Sequence, residues 1–392
     1  MNQDTKKCHL DTITFSVFCL LLGVGFATLL SASYLKGGVS ASGDHYFFFH
    51  KQAGKLILGA VLMFIIYKLP TSLWMDLWYL VVGLSVLLLI MSFVPIFQIT
   101  AMGASRWIRV GPVTLQPSEV ARIGVVVYMA HSLSRKGELA KEFFYGFTPH
   151  LLVLIIFGSL IVLQTDLGGA IIIAGIIMAL TLVSGLKKIY LFLFGAVVSG
   201  ICTFLIYSIG YRVNRIRGWL DPEADPLGVG YPILHSFYAF ANGGIFGMGP
   251  GQGLEKQLYI PEIHTDYIFA VVGEEFGFFG VIFVSGLFLF LVYRGLMIAR
   301  AATKLPDFYL AVGATMVVGL PAFVNMGVAL SLWPAKGLAL PFFSYGGTNL
   351  VVSMCAVAIL LQVARQGSLD FYGSEKTSLK LKLSLNNQKG ES

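Results

Sequence analysis

The sequence predicts an all-α, polytopic membrane protein with about ten transmembrane helices and a large extracytoplasmic loop between helices 7 and 8. Of its 392 residues, 56% are hydrophobic and only 12% are charged, whereas about a quarter are charged in soluble domains. The apolar residues form continuous runs of about 15 to 22 residues, the length that crosses a bilayer. These runs lack the amphipathic period of helices in soluble proteins.

Ten apolar runs account for the predicted spans. They lie at 13–33, 52–69, 77–97, 117–133, 149–163, 167–184, 189–209, 269–293, 308–330 and 347–363. The first run has an alternative interpretation as a cleaved signal peptide, because Lys6 and Lys7 precede it and Ser31-Ala32-Ser33 resembles a cleavage site. A span is favoured, since nine spans would place the basic C-terminal tail outside the cell.

Basic residues predict the orientation and the domain limits. The short turns 135–141 and 185–188 carry Lys and Arg, and the positive-inside rule places such turns in the cytoplasm. We therefore expect a cytoplasmic N-terminus at 1–12, a membrane domain at 13–365 with its large extracytoplasmic loop at 210–268, and a disordered cytoplasmic tail at 366–392.

Two function classes are disfavoured by composition. The net charge is +7, but the basic residues lie at the ends of apolar runs and form no dense patch, so we expect no nucleic acid as a partner. The four cysteines include no CxxC pair, which supports neither a disulfide framework nor a zinc site.

The loop at 210–268 is the longest polar stretch between spans, and Asp266 lies where it meets the eighth span. This position places the carboxylate at the membrane interface, where partial removal from water makes it a stronger base than a surface carboxylate. It is suited to take a proton from a sugar hydroxyl whose lipid remains in the bilayer. The alternative is that Asp266 caps the helix of the eighth span.

Charged and aromatic residues at the outer ends of other spans are further candidates. Glu119 and Arg122 lie three residues apart, on one helical face, and are expected to pair or to line a polar cavity because each is costly against lipid. Asp166 receives the same interpretation. Trp107 suits either an interfacial anchor or a platform on which a sugar stacks.

Glycines alternate at 247–253, a stretch called the glycine-rich loop below. Its pattern resembles a nucleotide fingerprint, but no strand-turn-helix unit surrounds it. Two interpretations remain open: a loop whose N–H groups face a lipid pyrophosphate, and a flexible turn without a ligand.

Several ordered blocks resemble one family of bacterial cell-wall proteins, the SEDS family (shape, elongation, division and sporulation), over roughly residues 14–366. The blocks are Gly103 to Ile108, Gln116-Pro117-Ser118-Glu119, Gln164-Thr165-Asp166-Leu167-Gly168, Asp221-Pro222, Gly228 to Tyr231, Pro261 to Phe269, Gly273-Glu274-Glu275 and Leu340 to Gly347.

The resemblance implies ten spans in the bacterial cytoplasmic (inner) membrane and a site that faces outward. It implies a processive glycosyltransferase that polymerises lipid II into glycan strands with a cognate class B penicillin-binding protein and other divisome proteins as partners. Asp266 takes the place of the family's catalytic residue, Glu119 and Arg122 would line a central cavity, and Trp107 would belong to the substrate groove. The other expected substrate-binding residues are Asp166, Glu262, His264 and Lys336.

The implied reaction joins two lipid-linked sugars. The GlcNAc 4-hydroxyl of lipid II attacks the anomeric carbon of the growing chain and expels undecaprenyl pyrophosphate, so no nucleotide is needed. Positive charge from Arg or from a divalent cation, Mg²⁺ or Mn²⁺, would stabilise the leaving group. Asp266 is therefore expected to act either as the general base or as a ligand of that cation.

The sequence leaves alternatives to this function open. Lys336, in Pro334-Ala335-Lys336-Gly337-Leu338, resembles the division branch of the family, while an elongation role is the nearest alternative. Arg122 stands where the family more often has Lys. The rival functions are a lipid II flippase and a non-catalytic scaffold for the penicillin-binding protein.

Overall fold

The computed structural model describes residues 11–40, 43–101, 104–111, 113–137, 139, 142–208, 210–255 and 264–367. Its helices are α1 (Thr12–Ser40), α2 (Phe47–Lys68), α3 (Ser72–Asp76), α4 (Trp78–Met91), α5 (Pro117–Lys136), α6 (Thr148–Leu163), α7 (Leu167–Val183), α8 (Lys188–Tyr207), α9 (Gly210–Leu220), α10 (Tyr231–Gly243), α11 (Ile268–Ala301), α12 (Leu305–Ala329) and α13 (Gly347–Gly367).

Helices occupy the positions of all the predicted spans: α1, α2, α4 to α8 and α11 to α13. In the described part of the chain, seven helices are long and apolar enough to cross a membrane, and α4 and α7 are shorter apolar helices. The remaining one, α5, is less apolar and is buried along most of its length. The predicted polytopic, all-helical class is confirmed. The terminal segments 1–12 and 366–392 lie almost entirely outside the described residues and stay predictions.

The interior of the bundle is formed around α5, which packs against α4, α7 and α12. Helix α13 is buried over most of its length, whereas α8 is exposed over almost all of its length. Because α5 lies inside a ring of apolar helices, its charged residues are kept away from lipid, as intramembrane charges require. This arrangement buries Glu119 and Arg122 inside the bundle, near the start of α5.

One feature of the fold was not predicted from the sequence. Between α4 and α5 the chain forms a small antiparallel sheet of β1 (Gln98–Ala101), β2 (Ala104–Val110) and β3 (Val113–Leu115), in the order β1-β2-β3. The expected span at 77–97 is therefore too long, because α4 ends at Met91 and the chain turns into β1. The sheet carries Trp107 on its middle strand.

Helix α11 is broken at Gly277, whose φ of 64° is outside the helical region. A break inside a membrane helix leaves backbone groups without intrahelical partners, which is costly away from water. The glycine-rich loop supplies partners: Met248 and Gly249 donate their N–H groups to the carbonyl oxygens of Glu274 and Glu275, both at 3.0 Å. The loop is thus a structural cap of the broken helix, and these two N–H groups are not available to a pyrophosphate.

Candidate functional site

Two neighbouring cavities lie beside the end of the outer loop. The first, called the central cavity, has a volume of about 350 Å³ and is lined by Lys55, Arg106, Trp107, Thr114, Gln116, Glu119, His264 to Asp266, Gly337, Ala339 and Tyr345 to Asn349. The second, called the cationic groove, has a volume of about 70 Å³ and is lined by Arg106, Thr165 to Gly168, Ile206, Arg212, Arg215, Ile216 and Pro334 to Gly337. Arg106 and Gly337 line both and mark the junction between them.

Asp266 is half-buried and lies at this junction. A Cβ atom added at Gly337 would be 3.3 Å from Asp266 Oδ2 and 3.8 Å from Arg106 Nη1, so the three residues are close neighbours. The N-cap position of α11 is Tyr267, and it makes no side-chain capping bond. The alternative interpretation of Asp266 as the cap of this helix is therefore not supported.

The backbone at Asp266 is fixed by helix α12. Asn325 Nδ2 donates to the carbonyl oxygen of Asp266 at 2.9 Å and to that of Leu338 at 2.6 Å. Asn325 is buried inside the bundle, so its amide has few other partners to choose from. This side chain ties the end of the outer loop to the segment that precedes α13.

The residues just before Asp266 are held by that same segment. Tyr345 donates its N–H to the His264 carbonyl oxygen at 2.8 Å, and the Ser344 hydroxyl donates to the carbonyl oxygen of Thr265. The His264 ring packs 5.1 Å from the ring of Phe48 on α2. His264 is buried, and its ring forms part of the wall of the central cavity.

Glu119 and Arg122 form the pair that their spacing predicts. Arg122 Nη1 lies 2.6 Å from Glu119 Oε2, and Asn349 Nδ2 donates to the same oxygen at 3.3 Å. Both charged side chains are almost completely buried. Glu119 lines the central cavity, whereas Arg122 lies behind it and does not. Arg122 therefore orients and neutralises the carboxylate that the cavity presents.

Four cationic side chains line the cationic groove: Arg106, Arg212, Arg215 and Lys336. Arg106 Nη2 donates to the Thr165 carbonyl oxygen at 2.7 Å, and Arg212 Nη1 donates to that of Leu205 at 2.9 Å. These backbone partners position the guanidinium groups without neutralising their charge. Burial lowers the pKa of Lys336.

Asp166 is the single carboxylate among the described residues that line the groove. It is the N-cap of α7 and accepts the Gly169 N–H at 2.9 Å. It also accepts bonds from the Ser118 hydroxyl at 2.8 Å and from Gln116 Nε2 at 3.3 Å. Because its oxygens are occupied in joining α5 to α7, the groove presents mainly positive charge.

The structure distributes the predicted site residues between the two cavities. Trp107, Glu119, His264 and Asp266 line the central cavity, and Asp166 and Lys336 line the groove. Glu262 lies outside the described residues.

Three residues of the site were not predicted from the sequence: Lys55, Arg106 and Asn325. The signal that could have identified Lys55 is a charge within the second apolar run. Asn325 carried no comparable signal, because a single amide in a span is as often structural.

A divalent cation stays a prediction. In the part of the chain that the structure describes, no group of three or more His, Cys, Asp or Glu side chains is placed to hold a metal ion. Mg²⁺ is often held by only one or two carboxylates together with substrate phosphates. Asp266, beside the groove, fits that pattern as a single protein ligand.

The fold and the paired cavities define a polytopic helical membrane protein with a polar, charge-lined site at one end of its bundle. The family model described as Cell cycle protein, which covers FtsW, RodA and SpoVE, matches residues 11–369, and the chain belongs to this family. The resemblance found in the sequence blocks is thereby confirmed.

Curated relatives match over almost the whole chain. A protein of Geobacter sp. (strain M18) named probable peptidoglycan glycosyltransferase FtsW is 38% identical over 356 residues, which are 90% of this chain and 96% of the relative. Stage V sporulation protein E of Bacillus subtilis (strain 168) is 34% identical over 363 residues, which are 92% of this chain and 98% of that protein.

Solved structures share the fold. The structure described as "Structural coordination of polymerization and crosslinking by a peptidoglycan synthase complex" matches with a TM-score of 0.74 and 28% identity, over 91% of this chain and 98% of that one. The rod shape determining protein RodA of Thermus thermophilus matches with a TM-score of 0.68 and 26% identity, over 91% of this chain and 97% of that one.

Proposed function

We propose that this chain is a peptidoglycan glycosyltransferase that polymerises lipid II at the outer face of the bacterial cytoplasmic membrane, for septal wall synthesis in cell division. The observation that carries the proposal is the position of Asp266, at the junction between a polar cavity and a groove lined by four cations. The relatives named as peptidoglycan glycosyltransferases support the reaction class.

The two cavities suit the two substrates of this reaction, the growing chain and lipid II. The groove takes the pyrophosphate of the growing chain, because the charge that develops on a leaving group is best stabilised by fixed cations such as Arg106, Arg212 and Lys336. The central cavity takes the sugar of lipid II, and Trp107 in its wall offers a ring face for stacking.

In the proposed reaction, one bond forms and one bond breaks at the anomeric carbon of the growing chain. Asp266 accepts the proton of the lipid II 4-hydroxyl, whose oxygen forms a bond to the anomeric carbon of the growing chain. The bond from that carbon to the pyrophosphate oxygen breaks, and its electron pair leaves with undecaprenyl pyrophosphate. Each turn lengthens the chain by one disaccharide, now carried on the lipid of the acceptor.

The proposal includes a partner and an orientation. A class B penicillin-binding protein would cross-link the strands, and the match to a protein of a peptidoglycan synthase complex supports such a partner. Other divisome proteins would bring the pair to the septum. Both termini would be cytoplasmic, so that the junction at Asp266 faces outward, where lipid II is polymerised.

Polymerisation by purified protein tests the proposal. The chain is incubated with lipid II and its cognate class B penicillin-binding protein, and glycan strands are separated on a gel. We expect strands with wild type, none with Asp266→Ala, and wild-type amounts with Glu223→Gln, which removes an exposed carboxylate of the outer loop. Absence of strands from wild type with its partner, combined with movement of lipid II across vesicles, would indicate a flippase instead.

The division role has its own test in cells. Depletion of the chain is expected to give filaments without septa, and Asp266→Ala is expected not to rescue them. Rescue by Asp266→Ala would indicate a non-catalytic scaffold. Rounded cells on depletion would indicate the elongation role.

A further inference from the structure

Lys55 brings a positive charge deep into the central cavity. It lies on α2, eight residues after Phe47, or about 12 Å along the helix axis at 1.5 Å per residue. A lysine at this depth is costly unless it faces a polar space. Its side chain meets this condition, because it lines the cavity that also contains Glu119 and Asp266.

The side chain of Lys55 is held in place by the residues before and at the start of α13. A Cβ atom added at Gly347 would overlap Lys55 Cδ and lie 2.7 Å from Nζ, so the lysine stem crosses the glycine directly. Its Nζ lies 4.9 Å from the centre of the Tyr345 ring. The absence of a side chain at Gly347 thus gives the ammonium group its path into the cavity.

No carboxylate of the described residues forms an ion pair with Lys55. Glu119 lines the same cavity but is already bonded to Arg122 and Asn349. The ammonium group is therefore fixed in a substrate cavity with its charge available. Such an arrangement is suited to an anionic group of a ligand.

The start of α13 adds to this preference. The N–H groups of Gly347, Thr348 and Asn349 precede the first bond within the helix, and all three residues line the central cavity. A helix N-terminus favours negative charge. The ammonium of Lys55 and this helix end therefore meet at the same wall of the cavity.

We propose that Lys55, with the start of α13, binds the pyrophosphate of the acceptor lipid II. This inference rests on the proposed function, in which both substrates carry a lipid pyrophosphate and the cationic groove holds that of the growing chain. The acceptor therefore needs an anion subsite of its own on the other side of Asp266. The depth of Lys55 along α2 suits a pyrophosphate joined to a lipid better than the carboxylates of the stem peptide, which extend away from the membrane.

A polymerisation assay with separate donor and acceptor tests this assignment. The donor is a short lipid-linked glycan whose terminal 4-hydroxyl is blocked, and the acceptor is labelled lipid II. Lys55→Met keeps the stem across Gly347 and removes the charge. We expect it to raise the KM for lipid II about tenfold, the effect of losing one charged hydrogen bond to an anion, with the donor KM unchanged.

Three further variants give the comparison. Lys55→Arg is expected to restore most of the affinity for lipid II, and Lys336→Met is expected to raise the KM of the donor instead. Lys51→Met is the matched control, because Lys51 lies on the same helix with its Nζ over the Phe47 ring at 4.1 Å and does not line the cavity.

The outcomes separate this inference from the proposed function. If Lys55→Met leaves the KM for lipid II within twofold of wild type, or raises the donor KM instead, the assignment of Lys55 is wrong. Partial unfolding would lower kcat without shifting one KM alone. If wild type joins no donor to acceptor with its partner present, the proposed function itself fails.

Discussion

The central cavity and the cationic groove share Arg106 and Gly337 but differ in their charges. The cavity is lined by charges of both signs, with the carboxylates Glu119 and Asp266 and the cations Lys55 and Arg106. The groove presents four cations, and its carboxylate, Asp166, is occupied by bonds within the protein. A nucleophile and its base need a mixed site, whereas a departing pyrophosphate needs positive charge. Under the proposed function, this difference gives each cavity one of the two substrates.

The largest effect on the protein itself is expected at the buried pair of Glu119, which lines the central cavity, and Arg122, which lies behind it. Glu119→Leu would leave Arg122 as a buried charge without its partner, which typically costs about 3 to 5 kcal/mol. We expect a large drop in thermal stability, measured by unfolding in detergent. The double variant Glu119→Leu with Arg122→Met should recover much of the stability; if it does not, the pair is not what stabilises this wall.

Arg106 is the residue whose loss should affect both cavities together. Arg106→Met removes a cation from the junction, and we expect kcat/KM to fall about 100-fold, as when a preorganised donor to a developing charge is lost. Arg109→Met is the matched control, because Arg109 is exposed on the same strand and lines neither cavity. Equal effects of both variants would show that charge at the sheet, and not contact at the junction, matters.

The smallest expected effect is on the pH dependence of donor binding in the cationic groove. Burial lowers the pKa of Lys336, so its charge is lost at a lower pH than that of an exposed lysine. As pH rises through this lowered pKa, we expect the donor KM to rise, because the groove loses a cation. Lys336→Arg should extend the plateau to higher pH, since a guanidinium stays charged. If the donor KM of Lys336→Arg rises over the same pH range as that of wild type, Lys336 is not the cation that titrates.

The sequence predicted the helices well and the site only in part. Continuous apolar runs locate spans because length and composition are local properties, and all the predicted spans coincide with helices. The sheet that carries Trp107 was missed, since its strands are short and do not alternate clearly. The contacts of Asn325 with Asp266 and Leu338 join residues 59 and 13 positions apart, and no local pattern encodes them.

The glycine-rich loop is a second example of a role that depends on contacts with residues distant in sequence. Its composition left open a loop that faces a lipid pyrophosphate and a flexible turn without a ligand, and the structure adds a structural role, because the N–H groups of Met248 and Gly249 bond to the broken helix α11. Asp166 was predicted as a substrate-binding residue, and its bonds to Ser118, Gln116 and Gly169 give it a role within the fold. The sequence predicts which positions carry a charged side chain, but it does not predict which neighbours form hydrogen bonds with that side chain.

The catalytic role of Asp266 is tested most directly by a single-turnover measurement with Asp266→Asn. The variant keeps the size of the side chain and removes its ability to accept a proton. With blocked donor and labelled lipid II both at saturation, we expect the rate of coupling to fall by about 10² to 10⁴, the usual contribution of a general base, while both substrates still bind. A coupling rate within a few-fold of wild type would contradict the claim that the carboxylate at the junction of the two cavities performs the chemistry.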